Sequence, residues 1–273
     1  MPPETAPDTP QELAQPLAEP LPPVQLDALK AVAAGLDRAA TQMDAQDIVA
    51  AALAGPWAGE IAVVSSFGAE AAVLLHMVAR ARPAAPVLFI DTRLLFPETL
   101  AYQQQLATYL GLQDVRILRA RHLDLAWQDS SGQLHRSDPD ACCTLRKTAP
   151  LDAALAGFDG WITGRKRHQS GSRAALPHIE TDGTRLKINP LARWSAQQIA
   201  TYLDTHALPR HPLVAKGYPS IGCAPCTSPV RPGEDPRAGR WRNREKEECG
   251  IHILDGRIVR SPATKAEPTG PTR

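Results

Sequence analysis

The chain has 273 residues, of which 43% are hydrophobic, so it can build one large globular domain or two small ones. Its net charge of +1 excludes a strong overall attraction to nucleic acid or to an anionic membrane surface. No apolar run approaches the roughly 18 residues that suggest a membrane-spanning helix, and the first basic residue is Lys30, so no signal peptide is predicted. We therefore expect a cytoplasmic protein with neither a membrane nor a nucleic-acid partner.

The two ends of the chain differ in composition from the middle. Residues 1–24 contain eight prolines and no aromatic or basic side chain, which is typical of a disordered tail. Residues 261–273 are similar, and we place a second tail at 254–273. The intervening residues 25–253 are predicted to form a single domain.

Apolar runs alternate with helical patterns from Ile61 onward. Strands are predicted at Ile61–Ser66, Val87–Asp91, Val115–Leu118 and Trp161–Thr163. Helices are predicted at Glu70–Arg80, at Pro97–Leu110 with proline in first position, and from the capping box of Ser195 and Gln198 to about Thr205. This alternation predicts an α/β fold, a doubly wound and mainly parallel sheet with helices on both faces.

In such sheets, ligands bind beyond the carboxyl ends of the strands, near the point where the strand order reverses. Three predicted loops occupy those ends: Ser65 to Glu70, Asp91-Thr92 and Gly164 to Arg167. The first loop presents Ser65, Ser66, Phe67 and Gly68 ahead of a helix, where backbone N–H groups can bind a nucleotide. An ordinary turn explains that loop equally well when it is considered alone.

The five cysteines form an adjacent pair, a Cys-x-x-Cys and a single residue: Cys142, Cys143, Cys223, Cys226 and Cys249. Two separated pairs of thiolates can surround zinc or an iron-sulfur cluster. A reducing cytosol disfavours disulfides, and adjacent cysteines fit zinc knuckles poorly. The pattern favours a cluster, while zinc, a redox disulfide and metal-free buried cysteines remain alternatives.

The residues around the adjacent pair predict a helix that begins at Asp140, whose carboxylate would cap it. On that helix Cys143 and Lys147 are four residues apart and share a face. We therefore expect the Lys147 ammonium to lie near the thiolates and to offset part of their charge.

Basic residues concentrate in two stretches of this nearly neutral chain, first at Arg165, Lys166, Arg167 and Arg173, then at Arg237, Arg240, Arg242, Arg244 and Lys246. Arginine suits bidentate contact with phosphate or sulfate. The stretches suggest a specific anionic ligand, although solvated surface charge explains each one alone.

The single Cys249 lies among charges of both signs. Three nearby glutamates disfavour a thiolate, whereas Lys246 and His252 favour one. Cys249 is either a nucleophile or an inert thiol on these grounds.

Several motifs in order resemble the sulfonucleotide reductases, specifically the iron-sulfur assimilatory adenylyl-sulfate (APS) reductases. The resemblance runs from about Ile61 to Ile253 and rests on Ser65 to Glu70, Asp91-Thr92 with Leu95 to Thr99, Cys142-Cys143 with Arg146-Lys147, Gln169 to Arg173, Tyr218 to Thr227, Arg237 to Trp241, and Glu248 to His252. One departure is that the family usually shows Asp-Thr-Gly-Arg where this chain has Asp91-Thr92-Arg93-Leu94.

The resemblance implies a fold like the adenine-nucleotide α-hydrolases and a 4Fe-4S cluster held by Cys142, Cys143, Cys223 and Cys226. It implies that Cys249, with His252 nearby, attacks the sulfur of APS, releases AMP and leaves an S-sulfocysteine. Thioredoxin, or a glutaredoxin-like reductant, would then free sulfite. The resemblance implies that four basic residues bind the phosphosulfate: Lys147, Arg173, Arg237 and Arg240. It also implies that Gly164 and the loop from Ser65 to Gly68 help to bind the nucleotide.

Alternatives to this function come from three directions. Reduction of 3′-phosphoadenylyl sulfate (PAPS), alone or together with APS, remains open, as does assembly into a homo-oligomer. A nucleotide pyrophosphatase on the same fold would need a Ser-Gly-Gly-x-Asp-Ser loop, which Ser65 to Glu70 does not provide. A zinc-stabilised nucleic-acid protein would need a second Cys-x-x-Cys and more aromatic residues beside the basic stretches.

Overall fold

A six-stranded sheet forms the centre of the protein. The structure is a computed structural model that describes residues 23–55, 59–242, 244 and 246. The strands are β1 Ile61–Ser65, β2 Val87–Ile90, β3 Val115–Leu118, β4 Gly160–Thr163, β5 Ile179–Asp182 and β6 Arg185–Ile188. Their order is β3-β2-β1-β4-β6-β5, and every neighbouring pair is parallel except β5 with β6. The predicted doubly wound, mainly parallel sheet is confirmed.

The helices of the described residues are α1 Pro23–Ala40, α2 Ala45–Leu53, α3 Ala71–Ala81, α4 Pro97–Leu110, α5 His122–Gln128, α6 Leu134–Ser137, α7 Pro139–Cys143, α8 Ala149–Leu155 and α9 Ala196–Thr205. A π-helical turn, Thr144–Thr148, joins α7 to α8. The first helix begins at Pro23, two residues inside the predicted N-terminal tail. No helix in the described part of the chain combines the length and hydropathy needed to cross a membrane.

Side chains that alternate along the strands build a core on each face of the sheet. Val63 and Phe89 join the larger cluster, to which α1, α2, α3, α4 and α9 contribute. Leu88 and Trp161 join the smaller cluster, together with Leu151 and Leu155 of α8. Helices therefore cover both faces, as a parallel sheet requires.

Local signals account for the elements that were predicted most accurately. The fourth helix has the predicted bounds because Pro97 suits the first helical position and Gly111 ends the helix with a left-handed φ of 67°. The last helix is opened by the predicted capping box, in which the Ser195 hydroxyl accepts from the Gln198 N–H at 3.2 Å.

The expected helix cap before the adjacent cysteines was wrong by two residues. The cap is Asp138, whose carboxylate accepts the N–H groups of Asp140 and Ala141 at 3.0 and 2.9 Å. Asp140 is already helical because Pro139 occupies the first helical position. The helix thus begins two residues earlier relative to the cysteines than expected.

The strand order reverses between β1 and β4, because β1 pairs with β2 on one side and with β4 on the other. The chain segments that follow these two strands diverge above the sheet and leave a crevice. We name them the β1 loop, residues 66–70, and the β4 loop, residues 164–173. Both loops carry residues that the sequence marks as candidate ligand contacts.

Candidate active site

A cavity of about 320 Å³ lies at this reversal point. Eight of the predicted substrate residues line it: Ser65, Ser66, Gly68, Lys147, Gly164, Arg173, Arg237 and Arg240. They come from the end of β1, from the two loops, from the π-helical turn and from the segment before Trp241. The fold thus brings together residues that lie up to 175 positions apart in the chain.

Phe67, the ninth of these residues, does not line the cavity. Its side chain is fully buried and packs edge-on against Phe89, with ring centroids 5.2 Å apart. Its backbone has a positive φ of 48°, and its N–H donates to the Ser65 hydroxyl at 3.1 Å. Phe67 therefore anchors the β1 loop to the core, and its neighbours face the cavity.

The first basic stretch is divided between ligand-facing and structural positions. Arg165, Lys166 and Arg173 all line the cavity, but Lys166 is buried and pairs with Glu70 at 2.8 Å. Arg165 is also buried and bonds to Glu180 and to the Asn189 side chain. A cation removed from water needs such partners, so the sequence stretch is not a uniform anion-binding surface.

The second basic stretch is divided in the same way. Arg237 and Arg240 line the cavity, whereas Arg242 pairs with Glu234 at 2.8 Å. The hydrogen bond from Arg242 lowers the pKa of Glu234 to about 2. Arg244 donates to the His135 carbonyl at 2.9 Å, and Lys246 contacts the Asp140 carboxylate. These last contacts fasten the end of the described chain to α6 and α7.

The four predicted metal ligands meet at a second, smaller cavity, which Cys142, Cys143, Cys223 and Cys226 all line. None of the four forms a disulfide. Burial raises the pKa of Cys142 to about 11, and nearby Cys223 and Cys226 add to the shift while Arg146 opposes it. In the described residues, no group of three or more His, Cys, Asp or Glu side chains has the arrangement of a single-ion site.

Two buried N–H groups at the cysteine cavity have no hydrogen-bond partner among the described residues, Nε1 of Trp241 and Nε of Arg146. The other Arg146 nitrogens are occupied, since Nη2 bonds to Asp129 at 2.6 Å and Nη1 to the Thr92 carbonyl at 3.0 Å. The Thr92 hydroxyl lies 3.3 Å from the Cys223 sulfur. Four thiols with N–H donors fit a negatively charged, sulfur-rich group such as the implied 4Fe-4S cluster.

The two cavities share a wall. Thr92, Lys147 and Cys223 line both of them. Burial raises the pKa of Cys226, and the positive charge of Lys147 opposes that shift. Whatever binds in one cavity is therefore within electrostatic reach of the other.

The departure at Arg93 occurs where the backbone favours glycine. Arg93 has a φ of 59°, a left-handed conformation that glycine adopts without steric cost. Its N–H donates to the Asp91 carboxylate at 2.8 Å, and its guanidinium contacts His122 at 2.8 Å. These contacts hold a non-glycine residue in the same tight turn.

The predicted catalytic residues, Cys249 and His252, lie outside the described residues. Sequence reasoning missed two residues of the cysteine cavity, Thr92 as a partner of Cys223 and Trp241 as a buried donor. It also missed Glu70 as the partner of Lys166. Two signals were available: Thr92 lies in a predicted strand-end loop, and Trp241 directly follows Arg240.

Comparison with known proteins places this arrangement in a family. Residues 60–229 match the model of the phosphoadenosine phosphosulfate reductase domain. An adenosine 5'-phosphosulfate reductase of Mesorhizobium japonicum is 48% identical over 83% of this chain and 89% of its own length. One from Chelativorans sp. is 51% identical over 71% and 80%, respectively.

A solved structure supports the same placement. The phosphoadenylyl-sulfate (PAPS) reductase of Candida auris, in a phosphate complex, superposes with a TM-score of 0.62 and 26% identity. The match covers 72% of this chain and 96% of that one. The resemblance read from the motifs is confirmed, and the chain is an enzyme of the phosphoadenosine phosphosulfate reductase family.

Proposed function

We propose that this enzyme reduces APS to sulfite and AMP in sulfate assimilation, with Cys249 as the nucleophile, a 4Fe-4S cluster at the four cysteines and thioredoxin as the reductant. The observation that carries the proposal is the wall shared by a basic cavity at the strand reversal and a cavity lined by four cysteines. The curated relatives named adenosine 5'-phosphosulfate reductase support the choice of substrate.

The larger cavity suits a nucleotide that carries a chain of anionic groups. The β1 loop and Gly164 lie at the carboxyl ends of β1 and β4, where such sheets bind nucleotides. Lys147, Arg173, Arg237 and Arg240 supply positive charge for phosphate and sulfate. Each charge-assisted contact contributes about 1.5 to 3 kcal/mol.

The cluster would be held by Cys142, Cys143, Cys223 and Cys226, and when bound it would supply redox-active iron and negatively charged sulfur beside the substrate. Arg146, Lys147 and the Trp241 N–H would offset that negative charge. Anaerobically purified protein should contain roughly four irons and four acid-labile sulfides per chain. Cys226→Ser should lose them; stoichiometric zinc without iron would refute the assignment.

The reaction begins when the thiolate of Cys249 attacks the sulfur of the sulfate group. A sulfur–sulfur bond forms, and the bond from sulfur to the phosphate oxygen breaks, with AMP as the leaving group. Basic residues that line the cavity stabilise the charge on that oxygen. A thiolate of a dithiol protein such as thioredoxin then attacks the Cys249 sulfur, so that sulfite leaves and a mixed disulfide forms. The second thiol of the reductant breaks that mixed disulfide, closes the reductant's own disulfide and frees the Cys249 thiol. The dithiol supplies the two electrons.

The decisive experiment compares Cys249→Ser with the wild-type protein. The variant should keep its iron and bind APS but release no sulfite, because a serine hydroxyl is a far weaker nucleophile near neutral pH. Wild-type protein mixed with APS alone should gain about 80 Da on the peptide that contains Cys249, and thioredoxin should remove this mass. Sulfite release by the variant, or label on another peptide, would refute the mechanism.

The alternative substrate is PAPS, which the name of the Candida auris neighbour suggests for that protein. Side-by-side assays of sulfite release from APS and from PAPS, at equal enzyme and thioredoxin concentrations, separate the two. We expect the higher kcat/KM with APS, because the relatives with 48% and 51% identity are named adenosine 5'-phosphosulfate reductase.

A further inference from the structure

A chain of polar contacts crosses the crevice between the two loops. Glu70, the last residue of the β1 loop, accepts from Lys166 Nζ at 2.8 Å and from Gln169 Nε2 at 3.2 Å. The Gln169 Oε1 accepts from Arg173 Nη1 at 2.5 Å. Gln169 thus lies between a carboxylate on one loop and a cavity-lining guanidinium on the other.

These polar contacts allow the Gln169 amide only one orientation. A carboxylate only accepts hydrogen bonds and a guanidinium only donates them, so the NH₂ group must face Glu70 and the oxygen must face Arg173. The same oxygen also accepts the Lys166 backbone N–H at 3.2 Å. An amide fits both neighbours, whereas a carboxylate would repel Glu70 and an apolar side chain would bond to neither.

Glu70, at one end of this series of contacts, is held in place by the buried charge of Lys166. Lys166 is 2% exposed, and its Nζ bonds to Glu70 and to the Gly164 carbonyl at 2.9 Å. Moving Glu70 would leave a buried ammonium without its carboxylate, which is costly. Glu70 is therefore held in place, and the orientation of Gln169 is held with it.

We propose that Gln169 is a positioning residue that aims the Arg173 guanidinium at the anionic group of the nucleotide. This inference rests on the proposed function, which puts that anionic group near Arg173. Arg173 is 9% exposed and lines the cavity. Fixing one of its nitrogens in advance reduces the side-chain entropy that ligand binding would otherwise cost.

The test compares AMP with adenosine, which differ by the phosphate. Calorimetry on the cluster-loaded protein should show that Gln169→Met weakens AMP binding roughly five- to tenfold, the effect of ordering one long side chain. Adenosine affinity should stay within about twofold, because the proposed role directs Arg173 to the phosphate that adenosine lacks. Gln104→Met, a matched change at an exposed position of α4, should alter neither affinity.

A double-mutant cycle provides the second measurement. Gln169→Glu places a carboxylate against Glu70, and Glu70→Gln replaces the acceptor-only carboxylate with an amide that can also donate and so no longer fixes the Gln169 orientation. Combined, they exchange amide and acid and restore a donor facing an acceptor. The double variant should bind AMP at least about threefold more tightly than the two single effects predict.

The inference would be overturned by equal weakening of AMP and adenosine binding, by unchanged AMP affinity in Gln169→Met, or by additive effects in the cycle. If Gln169→Met does not fold, the cycle decides. These measurements need no turnover, so failure of APS reduction would refute the proposed function without touching this test. Wild-type protein that binds AMP no better than adenosine would refute the inference alone.

Discussion

Among the salt bridges of the described residues, the one between Asp129 and Arg146 should contribute most to stability. Its atoms are 2.6 Å apart, and the side chains are 1% and 8% exposed, respectively. Asp129 also accepts the Leu134 N–H at 2.9 Å. Asp129→Asn would keep the shape but leave the buried Arg146 guanidinium without a counter-charge, which costs about 3 to 5 kcal/mol.

This loss corresponds to a fall in Tm of roughly 6 to 20 °C at 2 to 4 °C per kcal/mol. A matched control is Asp204→Asn, since the pair of Arg210 and Asp204 has the same 2.6 Å distance but side chains that are 44% and 72% exposed. Exposed pairs contribute about 0 to 1 kcal/mol. Calorimetry at one scan rate compares the variants, and equal Tm losses would refute the reasoning from burial.

The pH dependence supplies an independent check on the same pair. Burial alone would raise the pKa of Asp129, but hydrogen bonds from Arg146 and the Leu134 N–H outweigh it, so the pKa lies below its usual value. A depressed carboxyl pKa stabilises the fold above the unfolded pKa of about 3.9 and loses that effect as pH falls through the folded pKa. The Tm difference between wild type and Asp129→Asn should therefore shrink below about pH 4.

Three further changes probe the site and the fold. Trp241→Phe removes a buried N–H at the cysteine cavity. If the proposed cluster occupies that cavity, the variant should keep its full iron content but show a more negative cluster potential by spectroelectrochemistry. An unchanged potential would contradict a role of this N–H toward the cluster. Gly222→Ala places a Cβ 2.3 Å from the Arg240 guanidinium, so we expect weaker AMP binding by calorimetry. The control Gly157→Ala, whose added Cβ would have no atom within 4 Å, should leave AMP affinity unchanged. Equal AMP affinities of the two variants would contradict displacement of Arg240. Ser195→Ala removes the α9 cap and should lower Tm by about 2 to 4 °C, from a loss near 1 kcal/mol; an unchanged Tm would show that the cap is dispensable.

Sequence patterns predicted the central strands because each is a short apolar run, buried on both faces of a parallel sheet. They did not predict β5 and β6, which carry Glu180, Asp182, Arg185 and Lys187 in eight residues. These charges are accommodated by tertiary contacts, such as Lys187 over the Trp161 ring at 4.5 Å. Propensity alone cannot show such partners.

The candidate site was predictable where chemistry restricts the residue type. Two cysteine pairs about 80 residues apart pointed to one shared site, and all four line one cavity. Side-chain direction was less predictable, as Phe67 shows. It lies inside a cavity-lining loop, yet its φ of 48° turns the ring into the core. A motif identifies a loop, while the backbone conformation decides which side chains face the ligand.

The wall formed by Thr92, Lys147 and Cys223 limits how the protein can change. A substitution at any of these positions alters two surfaces at once, so neither cavity can be remodelled independently there. A variant selected for a different nucleotide through position 92 or 147 would also alter the surroundings of the four sulfurs. Conversely, a relative without Cys223 would have to supply another side chain to close the larger cavity.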